Sequence, residues 1–167
     1  MLRRNIVGSA VIFAIVSVAG CAIPVRVKGE NDTDVLPWRG RMAIQIESEL
    51  AQPQSFSAGF ELSGNSQTGE LTLYTPLGST AAALTWADGE AILRSQGEVR
   101  YFDSLDALIK KAVGTELPVA ALFAWLAGEN VAIAGWNADL SQHVNGRIVA
   151  RRVNPAPVAE LRLVLEK

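Results

Sequence analysis

The sequence predicts an α+β protein, mostly antiparallel β, with two helices inserted between its strands. From Trp38 to Phe102 apolar and polar residues alternate, which is typical of strands with one buried face. At Asp103 the spacing changes to that of an amphipathic helix, and a second helical segment follows. Alternation returns at Trp136, so strands surround the helices in the chain.

The chain opens with a segment ordered like a secretory signal peptide. Arg3 and Arg4 precede a mainly apolar run at residues 6–18, and two small residues follow it. This run is short against the roughly 20 residues that a membrane-spanning helix needs. Residues 1–20 are therefore predicted to be a signal peptide that is removed.

Cys21 is the only cysteine, and it stands directly after this segment. Residues 18–21, Val-Ala-Gly-Cys, resemble the lipobox of bacterial lipoproteins, in which the cysteine thiol receives a diacylglycerol and the new amino terminus is acylated. The alternative is an ordinary secretory signal that ends beside a cysteine. Because more than one acyl chain anchors a protein stably, we expect Cys21 to hold the mature chain on a membrane, with no other cofactor.

The predicted mature chain has 147 of the 167 residues, enough for one domain. The signal carries two of the 15 basic residues and none of the 17 acidic ones, so the mature net charge is −4. An acidic chain without a basic cluster argues against a nucleic-acid partner. Residues 21–37 contain prolines and scattered charges and are predicted to be a lipidated tether, followed by one domain at 38–167.

The predicted strands before the helices have an apolar residue at every second position. Met42, Ile44 and Ile46 mark the first strand, and Phe60 and Leu62 mark the second. Turn residues separate these strands by a few positions, which favours an antiparallel meander with one solvated face.

An apolar residue, Leu77, stands at the tip of the turn between the third and fourth strands. Pro76 favours the φ of a turn and Gly78 can adopt a positive φ, so the connection is predicted to be tight. Turn tips are ordinarily polar. Leu77 either folds back onto its own sheet or projects as a hydrophobic finger, and a membrane anchor favours the second alternative.

Two helices are predicted after the sixth strand. The first covers Leu105–Val113, with Asp103 or Ser104 as its cap and Gly114 at its end. The second begins with Pro118 as its first residue and carries no charge up to Gly128. A helix that is apolar all round is predicted to be buried on all sides, either as a core helix on a sheet or as a plug in a hollow barrel.

The last part of the chain returns to strands. One is predicted at residues 136–140, and Asn145-Gly146 is predicted to form a two-residue hairpin turn before a strand at residues 148–153. A final strand is marked by Leu161, Leu163 and Leu165.

Residues that could carry catalysis are scarce. His143 is the only histidine and is predicted to be a solvent-exposed turn residue rather than a general base. The chain has no Gly-x-Ser-x-Gly sequence and no metal-ligand spacing, so an enzyme is not predicted.

Several short motifs point to a known family. They are the lipobox at Cys21, Trp38-Arg39-Gly40-Arg41, Phe60-Glu61-Leu62, Gly69-Glu70-Leu71, Thr75-Pro76-Leu77-Gly78-Ser79-Thr80, Tyr101, Gly114, and Leu117-Pro118 followed by Trp125-Leu126-Ala127-Gly128. In this order they resemble the LolB family of outer-membrane lipoprotein receptors. The match covers Cys21 to about Trp136, and the Pro-Leu-Gly loop and the helix ending in Trp-Leu-Ala-Gly are its specific parts.

The resemblance implies an incomplete β-barrel, or strongly curved sheet, with helices that plug or lid a hydrophobic cavity. It implies a monomeric receptor that accepts acylated lipoprotein cargo from the periplasmic carrier LolA and inserts it into the outer membrane. The membrane insertion loop would be Pro76, Leu77 and Gly78. The candidates for the lining of the acyl cavity are Met42, Ile44, Ile46, Phe60, Leu71, Leu73, Leu84, Trp86, Leu122, Trp125 and Leu126.

The family also implies a place in the cell, the periplasmic face of the outer membrane, in contact with its phospholipid. Ala22 follows the anchor cysteine where an aspartate would mark retention in the inner membrane. After Trp136 the chain departs from the family pattern, because it is short and lacks a terminal tryptophan, so a barrel wall is expected to be missing or rearranged. The main alternative is a scaffolding lipoprotein that binds a peptide and has no acyl cavity, and a lipid hydrolase comes third.

Overall fold

The computed structural model of the protein describes residues 37–47, 52–113 and 116–166. The predicted signal peptide, Cys21, Gly114 and all of the predicted tether except Pro37 lie outside these ranges. The described strands are β1 (Trp38–Glu47), β2 (Gln54–Gly64), β3 (Gly69–Tyr74), β4 (Thr80–Ala87), β5 (Glu90–Ser95), β6 (Glu98–Phe102), β7 (Trp136–Asp139), β8 (Arg147–Arg152) and β9 (Val158–Leu165). The described helices are α1 (Leu105–Val113), α2 (Val119–Leu126) and a 3-10 turn at His143–Asn145.

The described strands form one antiparallel sheet in the order β6-β5-β4-β3-β2-β1-β9-β8-β7. Each of the first six strands pairs with its neighbour in the chain, whereas β9 returns to pair with β1. The sheet is curved and unclosed, with β6 and β7 as its edges. The prediction of an α+β protein with an incomplete antiparallel barrel is therefore confirmed. The short C-terminal region supplies three of the strands, on the open side of β1.

One face of the sheet is apolar because alternate residues of neighbouring strands are in register. Leu62 of β2 lies opposite Leu71 of β3, Leu71 opposite Leu84 of β4, and Leu84 opposite Leu93 of β5. Since side chains alternate along a strand, these leucines point to the same face, which we call the concave face. Arg39 and other polar residues occupy the opposite, convex face.

The helix α1 has the bounds that its sequence predicts. Ser104 is its cap, since the Ser104 Oγ accepts a hydrogen bond from the backbone N–H of Ala107 at 3.1 Å. Leu108 is fully buried in the apolar core. The amphipathic spacing therefore identified the helix and the packed side that carries Leu108 and Ile109, whereas Ala112, which has the same spacing, is exposed.

The helix α2 lies on the concave face. Its Phe123 ring is 5.6 Å from the ring of Trp38 and 6.4 Å from that of Trp86, both on the concave side of the sheet. Pro118 precedes the first helical residue, so the predicted start is one residue early. The prediction that α2 is buried on all sides is wrong, because an open sheet covers only one side and leaves Ala120 exposed.

The connection from β7 to β8 also differs from its prediction. Residues 143–145 form a single 3-10 turn, and Gly146 ends it with a φ of +74° instead of forming a two-residue hairpin with Asn145. The Gly146 carbonyl accepts a hydrogen bond from the N–H of Leu165 at 2.7 Å. The positive φ of Gly146 thus ends the 3-10 turn rather than forming a hairpin, and the hydrogen bond to Leu165 holds this end of the turn against β9.

Candidate functional site

The loop between β3 and β4 is a tight turn held by two backbone hydrogen bonds. The Gly78 N–H donates to the Thr75 carbonyl at 2.9 Å, and the Thr75 N–H donates to the Ser79 carbonyl at 2.9 Å. Gly78 has a φ of +83°, as its position in the sequence predicts. A type I turn followed by a left-handed glycine has this pattern, and proline is favoured at the second position, where Pro76 stands.

Leu77 projects from the tip of this turn with 96% of its surface exposed. It therefore does not fold back onto its own sheet, and the structure favours the finger over the packed alternative. The loop base is tied by a contact of 2.8 Å between the hydroxyl oxygens of Thr75 and Ser79. Hydrogen bonds thus hold the turn that carries Leu77, at one end of the β3–β4 pair.

The predicted lining residues all lie in one apolar cluster between the sheet and the helices. Seven are buried and four are half-buried. The buried ones are Ile44, Ile46, Phe60, Leu84, Trp86, Trp125 and Leu126, and the half-buried ones are Met42, Leu71, Leu73 and Leu122. The structure therefore brings together strand and helix residues that are up to 84 positions apart in the chain.

The same cluster contains large residues that sequence reasoning did not assign to it. Ile148 and Leu163, on β8 and β9, are each 1% exposed, and Trp136 of β7 lies 6.3 Å from the ring of Trp125. Alternation predicted these strands, but only the pairing of β9 with β1 places them beside the first strands. Pairing between distant strands has no local signature in the sequence.

Two polar groups lie inside or beside this cluster. The indole Nε1 of Trp125 is buried and finds no acceptor among the described residues. Arg152 is 6% exposed, and its guanidinium donates to the carbonyls of Glu116 and Pro157 while lying 5.7 Å from the Trp136 ring centre. Because a buried charge needs such partners, Arg152 joins the segment before α2 to β8 and β9.

The convex face carries paired charges. Arg39 Nη2 lies 3.0 Å from Glu61 Oε1 across β1 and β2, and this hydrogen bond holds the pKa of Glu61 below its usual value. Burial alone would raise the pKa of Glu160 on β9, but hydrogen bonds from Arg151 and Arg162 lower it overall. The charged residues are thus concentrated on the face opposite the cluster.

His143 is not the exposed turn residue that the sequence predicts. It is half-buried, and its ring Nε2 is 3.0 Å from the carbonyl oxygen of Leu126. In the described part of the chain no group of three or more His, Cys, Asp or Glu residues could hold a metal ion. Within those same residues no helix has the length and hydropathy to cross a membrane.

The fold and this site define an open half-barrel whose apolar face is covered by a helix and whose rim carries a projecting apolar loop. A sequence profile described as outer membrane lipoprotein LolB matches residues 37–153, which is most of the chain. The chain belongs to this family.

Curated relatives support the assignment, and two of them do so over most of their length. The chain is 32% identical to outer-membrane lipoprotein LolB of Bordetella pertussis over 171 residues, covering 88% of this chain and 85% of that protein. It is 28% identical to the protein of the same name from Bordetella petrii over 172 residues, covering 89% and 86%. A protein of this name from Shewanella sediminis is 30% identical over 106 residues, covering 64% of this chain and 46% of the relative. The resemblance and the predicted outer-membrane location are thus confirmed at the level of the family.

Proposed function

We propose that this protein is the receptor that accepts lipoproteins from the periplasmic carrier LolA and inserts them into the outer membrane. The observation that carries the proposal is the exposure of Leu77 on a hydrogen-bonded turn. This turn belongs to a sheet whose concave face is apolar. Family membership supports a receptor role for outer-membrane lipoproteins. Cys21 would supply the anchor, and Leu77 would contact phospholipid.

The physical problem of such a receptor is the acyl chains of its cargo. Each methylene group exposed to water costs about 0.8 kcal/mol, so chains of a lipoprotein must move from one apolar site to another. The apolar cluster under α2 is the proposed acyl site. Its half-buried members, such as Leu122 and Leu73, border the remainder of the cluster, and α2 brings no charge that would have to be desolvated.

Leu77 is proposed to act in delivery rather than in acceptance. A leucine side chain gains about 1.5–3 kcal/mol on leaving water, enough to favour a transient insertion but too little to anchor a protein. Since the side chain is almost fully exposed, changing it leaves the core intact.

The decisive experiment compares Leu77→Glu with the wild type in proteoliposomes. Both proteins receive a labelled lipoprotein from LolA, and the label is then measured on the receptor and in the liposome membrane. We expect the variant to fold and accept cargo normally but to retain it, because a carboxylate resists entry into hydrocarbon. Val144→Glu is the matched control, since Val144 is 79% exposed on a turn outside the β3–β4 loop. Equal delivery by Leu77→Glu and wild type would refute the role of the loop.

A further inference from the structure

A groove on the convex face begins beside the Leu77 loop. It has a volume of about 360 Å³, within the range of small-molecule sites, and Pro76 and Gly78 line one end of it. Arg41 of β1, Gly59 of β2 and Tyr74 of β3 lie side by side across it, because Arg41 pairs with Gly59 and Gly59 pairs with Tyr74. Since glycine has no side chain, the row has a gap at its middle strand.

Four charged residues line this groove, and two of them neutralise each other. Arg39 donates to Glu61 at 3.0 Å. The Arg41 side chain is exposed, and its guanidinium forms no hydrogen bond or ion pair with another described residue. Glu166 is also exposed, and its backbone N–H donates to the Arg39 carbonyl at 2.8 Å, which places it beside β1. The groove therefore offers a ligand the Arg41 guanidinium and, beside Arg39, the Glu166 carboxylate, and its four charges sum to zero.

We propose that this groove binds the headgroup of a zwitterionic phospholipid, with the phosphate on Arg41 and the ammonium group toward Glu166. Guanidinium groups bind phosphate oxygens through paired hydrogen bonds, which makes arginine suited to this contact. The proposal rests on the proposed function for one point, that the Leu77 loop meets a membrane.

The position of the groove fits a lipid better than a soluble phosphate compound. Pro76 and Gly78 border the groove and also flank Leu77, so a headgroup bound there lies directly behind a side chain that enters the acyl layer. A single lipid would thus bind the groove through its phosphate while its acyl chains contact Leu77. The groove also disfavours anionic headgroups, because its four charges sum to zero and a second negative charge near Glu166 would have no ammonium group to compensate it.

The test titrates the mature acylated protein, held in detergent micelles, with dihexanoyl phosphatidylethanolamine or dihexanoyl phosphatidylglycerol. The reporters are the backbone amide signals of Gly59 and Gly78, which every variant keeps, and the side-chain Nε–Hε signal of Arg41 in the proteins that retain it, all in nuclear magnetic resonance spectra. We expect saturable shifts with the zwitterionic lipid and an affinity lowered about tenfold or more by Arg41→Gln, as expected for loss of a charge-assisted hydrogen bond. Arg100→Gln is the matched control, since Arg100 is an exposed arginine on β6 outside the groove. Glu166→Gln should reduce the preference for the ethanolamine lipid over the glycerol lipid.

Three results would overturn the proposal. They are unchanged lipid affinity in Arg41→Gln, binding of inorganic phosphate to Arg41 as tightly as the lipid, and a shift of the Arg41 signal by LolA but not by lipid. Thermal unfolding of each variant shows whether it is folded. No cargo takes part in the titration, so its failure would leave the delivery experiment with Leu77→Glu unaffected, and failure of delivery would leave the lipid affinity measurable.

Discussion

The His143 Nε2–H donates a hydrogen bond to the carbonyl oxygen of Leu126, 3.0 Å away, and so connects the 3-10 turn to the C-terminal end of α2. Gly128 lies under the same ring, and a Cβ added there would come within 2.9 Å of the His143 Cε1. Gly128 has a φ of +84°, so a glycine serves both the helix end and the close approach of the ring. One side chain therefore fastens the helix that covers the concave face.

Replacing His143 should loosen this end of α2. We expect His143→Ala to lower the free energy of unfolding by about 1 kcal/mol, since it removes one hydrogen bond and leaves the Leu126 carbonyl without it. Urea unfolding measures the loss, and amide hydrogen exchange in α2 locates it. Val144 is the adjacent residue and is exposed, so Val144→Ala should change the free energy of unfolding by less than about 0.5 kcal/mol. Equal effects of the two substitutions would show that the hydrogen bond contributes nothing.

A charge placed at Leu122 tests the proposed acyl site. Leu122 is half-buried in α2 and borders the apolar cluster, so a carboxylate there faces apolar groups without a partner. We expect Leu122→Glu to weaken the binding of a fluorescent fatty acid and the quenching of tryptophan emission that accompanies it. Leu122→Met keeps the volume and polarity and should bind as the wild type does. A probe that binds the wild type no better than an unrelated globular protein would support a scaffold without an acyl cavity.

The predicted anchor can be tested at a single position. Cys21 is the only cysteine, so Cys21→Ser removes the only thiol that could receive a diacylglycerol. The variant should fail to incorporate radiolabelled palmitate and should keep its signal peptide. Labelling of Cys21→Ser at the wild-type level would disprove the assignment of the anchor.

Acid should destabilise the protein through Glu160, whose side chain is 15% exposed between Arg151 and Arg162. Its pKa is below the usual value of 4.5, because the two arginines outweigh the opposing effect of burial. A lowered pKa in the folded state stabilises the fold above the unfolded pKa, and this contribution is lost as the pH falls through the folded pKa. In Glu160→Gln the melting temperature should therefore fall less steeply with decreasing pH below about pH 4.5 than in the wild type, as measured by thermal unfolding. The same dependence of the melting temperature on acidic pH in the variant and the wild type would rule out this contribution.

Local patterns predicted the parts of the structure that depend on local interactions. The bounds of α1 follow from its spacing and its serine cap, and the turn at Gly78 follows from proline and glycine. The exposure of Leu77 could not be decided in the same way, because the same turn permits both directions of the side chain. The Asn145-Gly146 prediction was wrong for a related reason, since a positive φ at Gly146 serves a helix end as well as a hairpin.

The parts that sequence reasoning missed depend on distant pairing. Nothing near Leu161 or Leu163 indicates that β9 lies against β1, so the C-terminal strands were not assigned to the site. The groove at Gly59 was missed because its two sides, Arg41 and Tyr74, lie on different strands. A register between three strands was needed to bring them together.

The separation of β6 and β7 at opposite ends of the described sheet has a mechanical consequence. A closed barrel can widen only if a row of hydrogen bonds between two strands breaks, and several such bonds would be lost at once. In an open sheet, small changes of twist at all the strand pairs can move the two edges apart. The hydrogen bonds between neighbouring strands then stay intact. Spreading this sheet would thus cost apolar contacts rather than hydrogen bonds between strands, and under the proposed function the acyl chains of the cargo would replace those contacts.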